Sequence, residues 1–418
     1  MNETKVRAGV LNRRLDSRYY LTAIAAAIVF SGFSQYLWQY NFPDWPLIKS
    51  QPPGVSVLLV GLGIAGILWL FTDWRIYRSR PLLWIIGFLA VTWALVVSTS
   101  IIHGDLFTHS VWVYVPILLM LLLKSPDLAS VRFVLLATAW MIAGVIVSTR
   151  LLEIVGTLSM PPLGNDLVGF EQSNYWLPLS GSIGPAFRWP GPMGHNAMTG
   201  IAAMYLVVLG LALWKRISIV LIVVGVLTLL VTSSRVSMVA TVIGVAVVLI
   251  FGDTVLTRRI SFNIRLAVVA VIGVLAAALA LVASPNLTGR TSYWPAFVNL
   301  WESSPWIGVG VSGRELGDPL ISQTNAHNIF LDILVLYGIA PLVSLTLALG
   351  GILYLAFKSA KIGQITPLAI TVVFLVAGLT QADHGWAEPS EPWWFLILAV
   401  FMASAVISLD SASAQENQ

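Results

Sequence analysis

Four side chains have the types needed to hold a phosphate-bearing substrate and move a proton. They are Arg188 in FRWPGPMGHN, Arg235 in TSSRVSM, Arg290 in GRTSYWPAFVNLW and His327 in TNAHNIFLD. A guanidinium matches phosphate oxygens with a planar pair of donors, and a neutral imidazole accepts a proton. After Arg290, the residues Trp294, Phe297, Val298 and Trp301 recur at i, i+3, i+4 and i+7. That spacing predicts an amphipathic helix lying in a membrane interface with its aromatics in lipid. Pro295 suits its first turn, so Arg290 stands just ahead of a helix N-terminus, where free N–H groups also favour an anion. An arginine snorkelling to lipid head groups fits the same residues. His327 precedes an apolar run. With Thr324 or Asn325 as the cap it falls in a first turn, where the helix dipole disfavours the protonated ring. Its other reading is a helix end anchored at head-group level.

Arg235 stands in a turn between two apolar runs of about 16 residues, roughly 24 Å each, short of a hydrocarbon core of about 30 Å. Its anion is either a lipid phosphate or a substrate phosphate. Arg188 and His195 flank a stiff loop made by Pro190, Gly191, Pro192 and Gly194. Such loops position binding groups or close a helix end, and Asn196 suits an N-cap. Asp332 lies five residues into an apolar run, where a carboxylate either orients a neighbour or binds sugar hydroxyls. Asp332, Asn328, His195 and Asn196 are the candidates for orienting the acceptor or the catalytic groups. His103, His109 and His384 lack ligand spacing and are taken as structural. No Walker A, GxGxxG or zinc motif is present, and no metal ligands are assigned.

The elements that position these residues are apolar. Of 418 residues, 57% are hydrophobic and 10% charged, against about 25% charged in globular domains. Repeated uncharged runs of about 17–25 residues identify helices that cross a membrane, and no period-two alternation suggests a barrel. Twelve runs are expected as spans: 20–39, 54–71, 81–101, 110–123, 131–155, 196–213, 217–232, 236–251, 264–284, 328–357, 366–382 and 392–409. Gly338 and Pro341 predict a kink in the tenth. The fold class is thus an all-α polytopic membrane protein, a single membrane domain over 1–418. It has long outer loops at 156–195 and 285–326, the second carrying the interfacial helix. The net charge of +4 reflects basic residues in short loops and does not indicate nucleic acid. Of the 23 Lys and Arg, only Lys49, Arg150, Arg188, Arg235, Arg290 and Arg314 fall outside when both termini are cytoplasmic. Each of those six works against the bias and needs a physical reason. The absence of cysteine excludes disulfides, thiol nucleophiles and Cys-ligated metals.

Taken together, RWPGPMGHN before a span, SSR between two spans, GRTSYW followed by PWIGVG, and TNAHNIFLDILVLYG opening the next span resemble the bacterial O-antigen ligase and O-antigen polymerase superfamily. The resemblance covers mainly residues 185–340. It implies a GT-C-like bundle of the inner membrane with its active site facing the periplasm. It implies a membrane glycosyltransferase moving a glycan from a polyprenyl (undecaprenyl-type) pyrophosphate to an acceptor hydroxyl on a glycan or glycolipid, without metal, cofactor or nucleotide sugar. It implies that Arg235, Arg290 and Arg188 hold the pyrophosphate and that His327 activates the acceptor. Ligase and polymerase differ only in the acceptor. Where the family often has an acid shortly before its glycine, this chain has Leu336 and Tyr337 before Gly338, with Asp332 a turn earlier. The rival classes are a secondary transporter, for which midplane charges and repeats are wanting, and a lipid-linked glycan flippase.

Overall fold

The computed structural model describes residues 16–41, 53–70, 80–105, 126–155, 189, 191–192, 196–213, 218–232, 234–252, 261, 263–265, 267–269, 271–272, 274, 290–315, 326, 328–379 and 391–416. Regular structure among them is helical. In chain order the helices are α1 (Ser17–Asn41), α2 (Pro53–Leu70), α3 (Arg80–His103), α4 (Leu128–Ile154), α5 (Asn196–Ala212), α6 (Ser218–Thr232) and α7 (Arg235–Phe251). They continue with α8 (Arg290–Glu302), α9 (Gly310–Glu315), α10 (Ile329–Tyr337), α11 (Ile339–Lys361), α12 (Thr366–Gly378) and α13 (Glu391–Glu416). Among the described residues, four helical stretches are long and apolar enough to cross a membrane: Leu82–His103, Leu128–Ile154, Ile339–Lys361 and Pro392–Asp410. α5, α6, α7 and α12 are apolar but shorter. The runs expected at 110–123 and 264–284 lie wholly or partly outside the described residues.

The centre of the bundle is α13. Trp394, Phe395, Leu396 and Ile397, successive residues that point to different sides of it, are all buried, and it packs against α4, α11 and α12. A helix apolar all round is stable only when enclosed. Tyr205 of α5 stacks on Phe395 at 4.5 Å, and the Trp394 indole N–H reaches the Thr138 hydroxyl of α4 at 3.3 Å. Farther out, α6 exposes Ile219, Val223, Val226, Leu227 and Leu230. That is the surface expected toward lipid rather than water.

Polar contacts sort the helix ends into two faces. At the basic face the Ser130 hydroxyl at the start of α4 donates to Asp16 beside α1, at 3.0 Å. There also Arg132 donates to the Gln364 side chain between α11 and α12, at 2.6 Å. The opposite face, here the loop face, gathers the end of α3, the end of α4, the α6–α7 turn and helices α8 to α10.

The tenth apolar run is divided, as the glycine and proline in it suggest. Gly338 (φ 87°, ψ −175°) ends α10 and starts α11. Its positive φ suits glycine alone at low cost, and a Cβ there would strike the Trp306 carbonyl group. Gly308 (φ 66°) meets the same junction from the other side, its Cβ direction filled by the Leu336–Tyr337 peptide. The PWIGVG turn and the LYG break therefore lie backbone against backbone, joined by Ile339 N–H to Pro305 O at 3.1 Å and Val309 N–H to Val335 O at 2.9 Å. One consequence corrects the sequence reading: Asp332 belongs to the separate nine-residue α10 and not to the spanning helix α11.

Candidate functional site

α8 begins at Arg290 itself, with Pro295 inside it, so Pro295 is not in the first turn and Arg290 opens the helix instead of preceding it. The aromatic stripe also differs from expectation. Phe297 is fully buried, packed with Ala326 and Val335, and Leu300 and Trp301 join that cluster. Phe297 and Trp301 face α10 rather than lipid, while Val298 of the same stripe is exposed; aromatic spacing reports an apolar neighbour without saying which one. The Trp294 indole N–H donates to Ala326 O at 2.9 Å, so the helix opened by Arg290 is tied directly to the segment carrying His327.

His327 lies outside the described residues, but both its neighbours are fixed. The Ala326 N–H donates to Asp332 Oδ1 at 2.9 Å. Asn328 is the N-cap of α10, its Oδ1 accepting from the N–H groups of Phe330 (2.9 Å) and Leu331 (3.2 Å). The cap is thus Asn328, not Thr324 or Asn325, and position 327 is the residue before the cap, not one of the first turn. Position 327 still adjoins the positive end of α10, and the Asp332 carboxylate holds its neighbour's backbone.

The second pair of segments meets at the α6–α7 turn. Arg235 is the first residue of α7, after Ser234, whose hydroxyl shares a hydrogen bond with Ser237 at 2.8 Å. α6 and α7 contain 15 and 17 residues, matching the short runs expected, and the Arg235 side chain is partly buried. Arg188, His195 and Met193 lie outside the described residues, while Trp189 is anchored twice. Its backbone N–H donates to Val231 O at the end of α6, at 3.2 Å. Its indole N–H donates to the Glu153 carboxylate at 2.8 Å. Arg150 completes the knot by pairing with Glu153 at 2.7 Å and lying over the Trp189 ring at 5.7 Å. Trp189, the residue after Arg188, is thereby held at the end of α6, next to the turn that carries Arg235. Asn196 opens α5 in the same region.

α12 stands between the two pairs. Gly244 of α7 lies against Val373 of α12, and Gly378 at the loop-face end of α12 lies against Ile329 of α10, where a Cβ would come within 3.2 Å. Helix α7, led by Arg235, and helix α10, capped by Asn328, are neighbours of one helix and open on one face.

Two acids missing from the sequence reading hold this arrangement. Glu153 ties the Arg188 loop as described. Asp105, just past α3, is buried, and its Oδ2 accepts from the Val311 N–H at 2.6 Å and the Ser312 N–H at 3.3 Å. It thereby caps α9 and fastens the turn after α8 to α3. The Tyr337 phenol, buried at the end of α10, lies in the field of Arg314, Asp105 and Asp332. Among the described residues no group of three or more His, Cys, Asp or Glu is placed to hold a metal ion.

Residues 219–346, from α6 into α11, match the family described as O-antigen ligase. No curated protein matches the chain. The matched stretch holds Arg235, Arg290 and position 327, together with the interlocked turn and break that seat α8 and α9 on α10. The match over residues 219–346, the stretch that carries three of the four motifs, supports a likeness to the O-antigen ligase superfamily of membrane proteins.

Proposed function

We propose that the protein is a membrane glycosyltransferase, O-antigen ligase-like, with its loop face outside the cytoplasmic membrane and both termini inside, built on about twelve spans in a GT-C-like bundle. Its donor is a glycan on an undecaprenyl-type pyrophosphate and its acceptor a hydroxyl of a glycan or glycolipid. His327 takes the acceptor proton as the acceptor oxygen attacks the anomeric carbon. The bond from that carbon to the pyrophosphate oxygen breaks, and its electron pair leaves with the pyrophosphate. Arg235, Arg290 and Arg188 hold the leaving group, whose growing charge they stabilise more in the transition state than in the ground state. A single displacement inverts the anomeric configuration. No metal is required, because three guanidinium groups supply the charge that a cation would.

The observation that carries this reading is the pairing of segments. Trp294 bonds to Ala326, joining the Arg290 helix to the residue before His327. Trp189 bonds to Val231, joining the Arg188 loop to the Arg235 turn. Both pairs occur in a chain whose residues 219–346 match the ligase family. The test is transfer from a polyprenyl pyrophosphate glycan by the full chain in lipid nanodiscs containing EDTA. Wild-type protein is expected to be active there. His327→Ala is expected to abolish transfer while keeping donor affinity. An active His327→Ala protein removes that residue as the base, and loss of wild-type activity in EDTA overturns the metal-free mechanism.

A further inference from the structure

Six basic residues are expected on the loop face against the charge bias, and the proposed reaction uses three of them. Arg150 is held by Glu153, and Lys49 lies outside the described residues. Arg314, on α9, is left without a role. Its Nε is buried and has no hydrogen-bond partner among the described residues, and the same holds for His103 Nε2 at the end of α3. The two side chains belong to one junction. Gly310 is pressed onto His103, so that a Cβ there would lie 2.7 Å from both its Cβ and Cγ. Arg314 is four residues on, and positions i and i+4 share a helix face. The nearby Asp105 does not supply the missing contact to Nε, and its Oδ2 is occupied by the N–H groups of Val311 and Ser312.

The surroundings indicate what reaches these nitrogens. Ile101 and Ile102 at the end of α3 are exposed, and Trp306, whose carbonyl abuts Gly338 beside Tyr337, is 74% exposed. An exposed indole and exposed isoleucines on the elements that meet at this junction mark a membrane interface. The ligand therefore arrives on a lipid. Arginine and an imidazole N–H together suit a phosphate or carboxylate.

We propose that Arg314 and His103, at the junction of α3, α9 and α10, bind an anionic oxyacid group carried by a lipid, the acceptor being the preferred source. The nine residues of α10 set this junction about 14 Å from the cap at Asn328, leaving room for a glycan to run from the anchored group toward position 327. The choice of the acceptor rests on the proposed transfer reaction; the binding of a lipid-borne anion does not.

The binding arm of the test uses the full chain in detergent, titrated by calorimetry with dioctanoyl phosphatidate and, as control, dioctanoylglycerol. Arg314→Gln is expected to weaken phosphatidate binding about tenfold or more, the loss of a charge-assisted contact. Arg314→Lys is expected to lose less, His103→Asn to lose part, and dioctanoylglycerol binding to be the same throughout. The kinetic arm varies the acceptor. A KM for acceptor that rises in Arg314→Gln, with the KM for donor held, assigns the anion to the acceptor. Weaker phosphatidate binding with an unchanged acceptor KM assigns it to a phospholipid head group and overturns the preferred source. If thermal unfolding shifts while both phosphatidate affinity and acceptor KM stay at wild-type values, Arg314 serves only as a countercharge near Asp105 and the proposal fails. A preparation without transfer activity sinks the reaction but leaves the phosphatidate arm decisive.

Discussion

Asp332→Ala isolates what holds position 327 in place. Asp332 Oδ1 accepts the Ala326 N–H at 2.9 Å from within the first turn of α10. Removing it deletes a hydrogen bond to a charged group, about 1.5–3 kcal/mol. It also removes a favourable charge at the helix N-terminus, about 0.3–1 kcal/mol. The local loss is therefore about 2–4 kcal/mol. If the reaction needs the 326–328 segment in its folded position, that loss appears in kcat as roughly 30- to 1,000-fold, at 1.36 kcal/mol per decade. Asp332→Asn keeps an acceptor oxygen and loses only the charge contributions, so it is expected to fall roughly 5- to 30-fold. The assay is transfer of a fluorescent glycan from a polyprenyl pyrophosphate in nanodiscs, with donor affinity measured separately and expected to hold. Equal losses in the Asn and Ala proteins would point to direct contact of the carboxylate with substrate. Wild-type kcat in Asp332→Ala would refute the positioning argument.

Gly338→Ala is expected to destabilise the loop face. An L-residue at φ 87°, ψ −175° costs about 1–3 kcal/mol, and its Cβ displaces the Trp306 carbonyl, loosening two backbone hydrogen bonds worth about 1 kcal/mol each. An unchanged thermal unfolding midpoint in the purified protein would contradict the backbone interlock. Glu153→Ala frees the Trp189 indole and the Arg150 guanidinium, so the KM for donor is expected to rise about tenfold, while Glu153→Gln, which keeps an acceptor for the indole, recovers most of it. Identical donor KM values in the two variants would detach Glu153 from the Arg188 loop.

Local signals in the sequence carried much of the helical layout. Apolar runs separated by charged or Gly/Pro-bearing loops gave the ends of α3 to α7 within about three residues, whereas α11 starts and ends later than the run 328–357 and α13 continues past 409; Gly338 with Pro341 marked the division of α10 from α11. The short α6–α7 turn was legible for the same reason. Other features depended on distant partners. Asp105 lies 206 positions from Val311, and nothing in its neighbourhood distinguishes a buried cap from a solvated loop acid. Glu153 at the end of α4 is equally ordinary until Trp189 meets it, 36 positions later. The stripe containing Phe297 was read as facing lipid because periodicity gives a helix face but not the identity of the apolar medium. The cap of α10 was misplaced because Thr324, Asn325 and Asn328 are all good N-caps, and only the backbone decides among them.

The Asp105 contact has a consequence for exchanging parts between family members. The stretch that matches the family begins at residue 219, yet its α9 is capped by a carboxylate from α3 and its Arg235 turn is braced through Trp189 by α4. The unit of inheritance recognised by similarity is thus smaller than the unit that folds. A chimera carrying residues 219–346 on a foreign first half would bring every proposed reactive group except Arg188. It would be expected to work only when the recipient offers an acid at the end of its third helix and an acceptor for the indole at the end of its fourth.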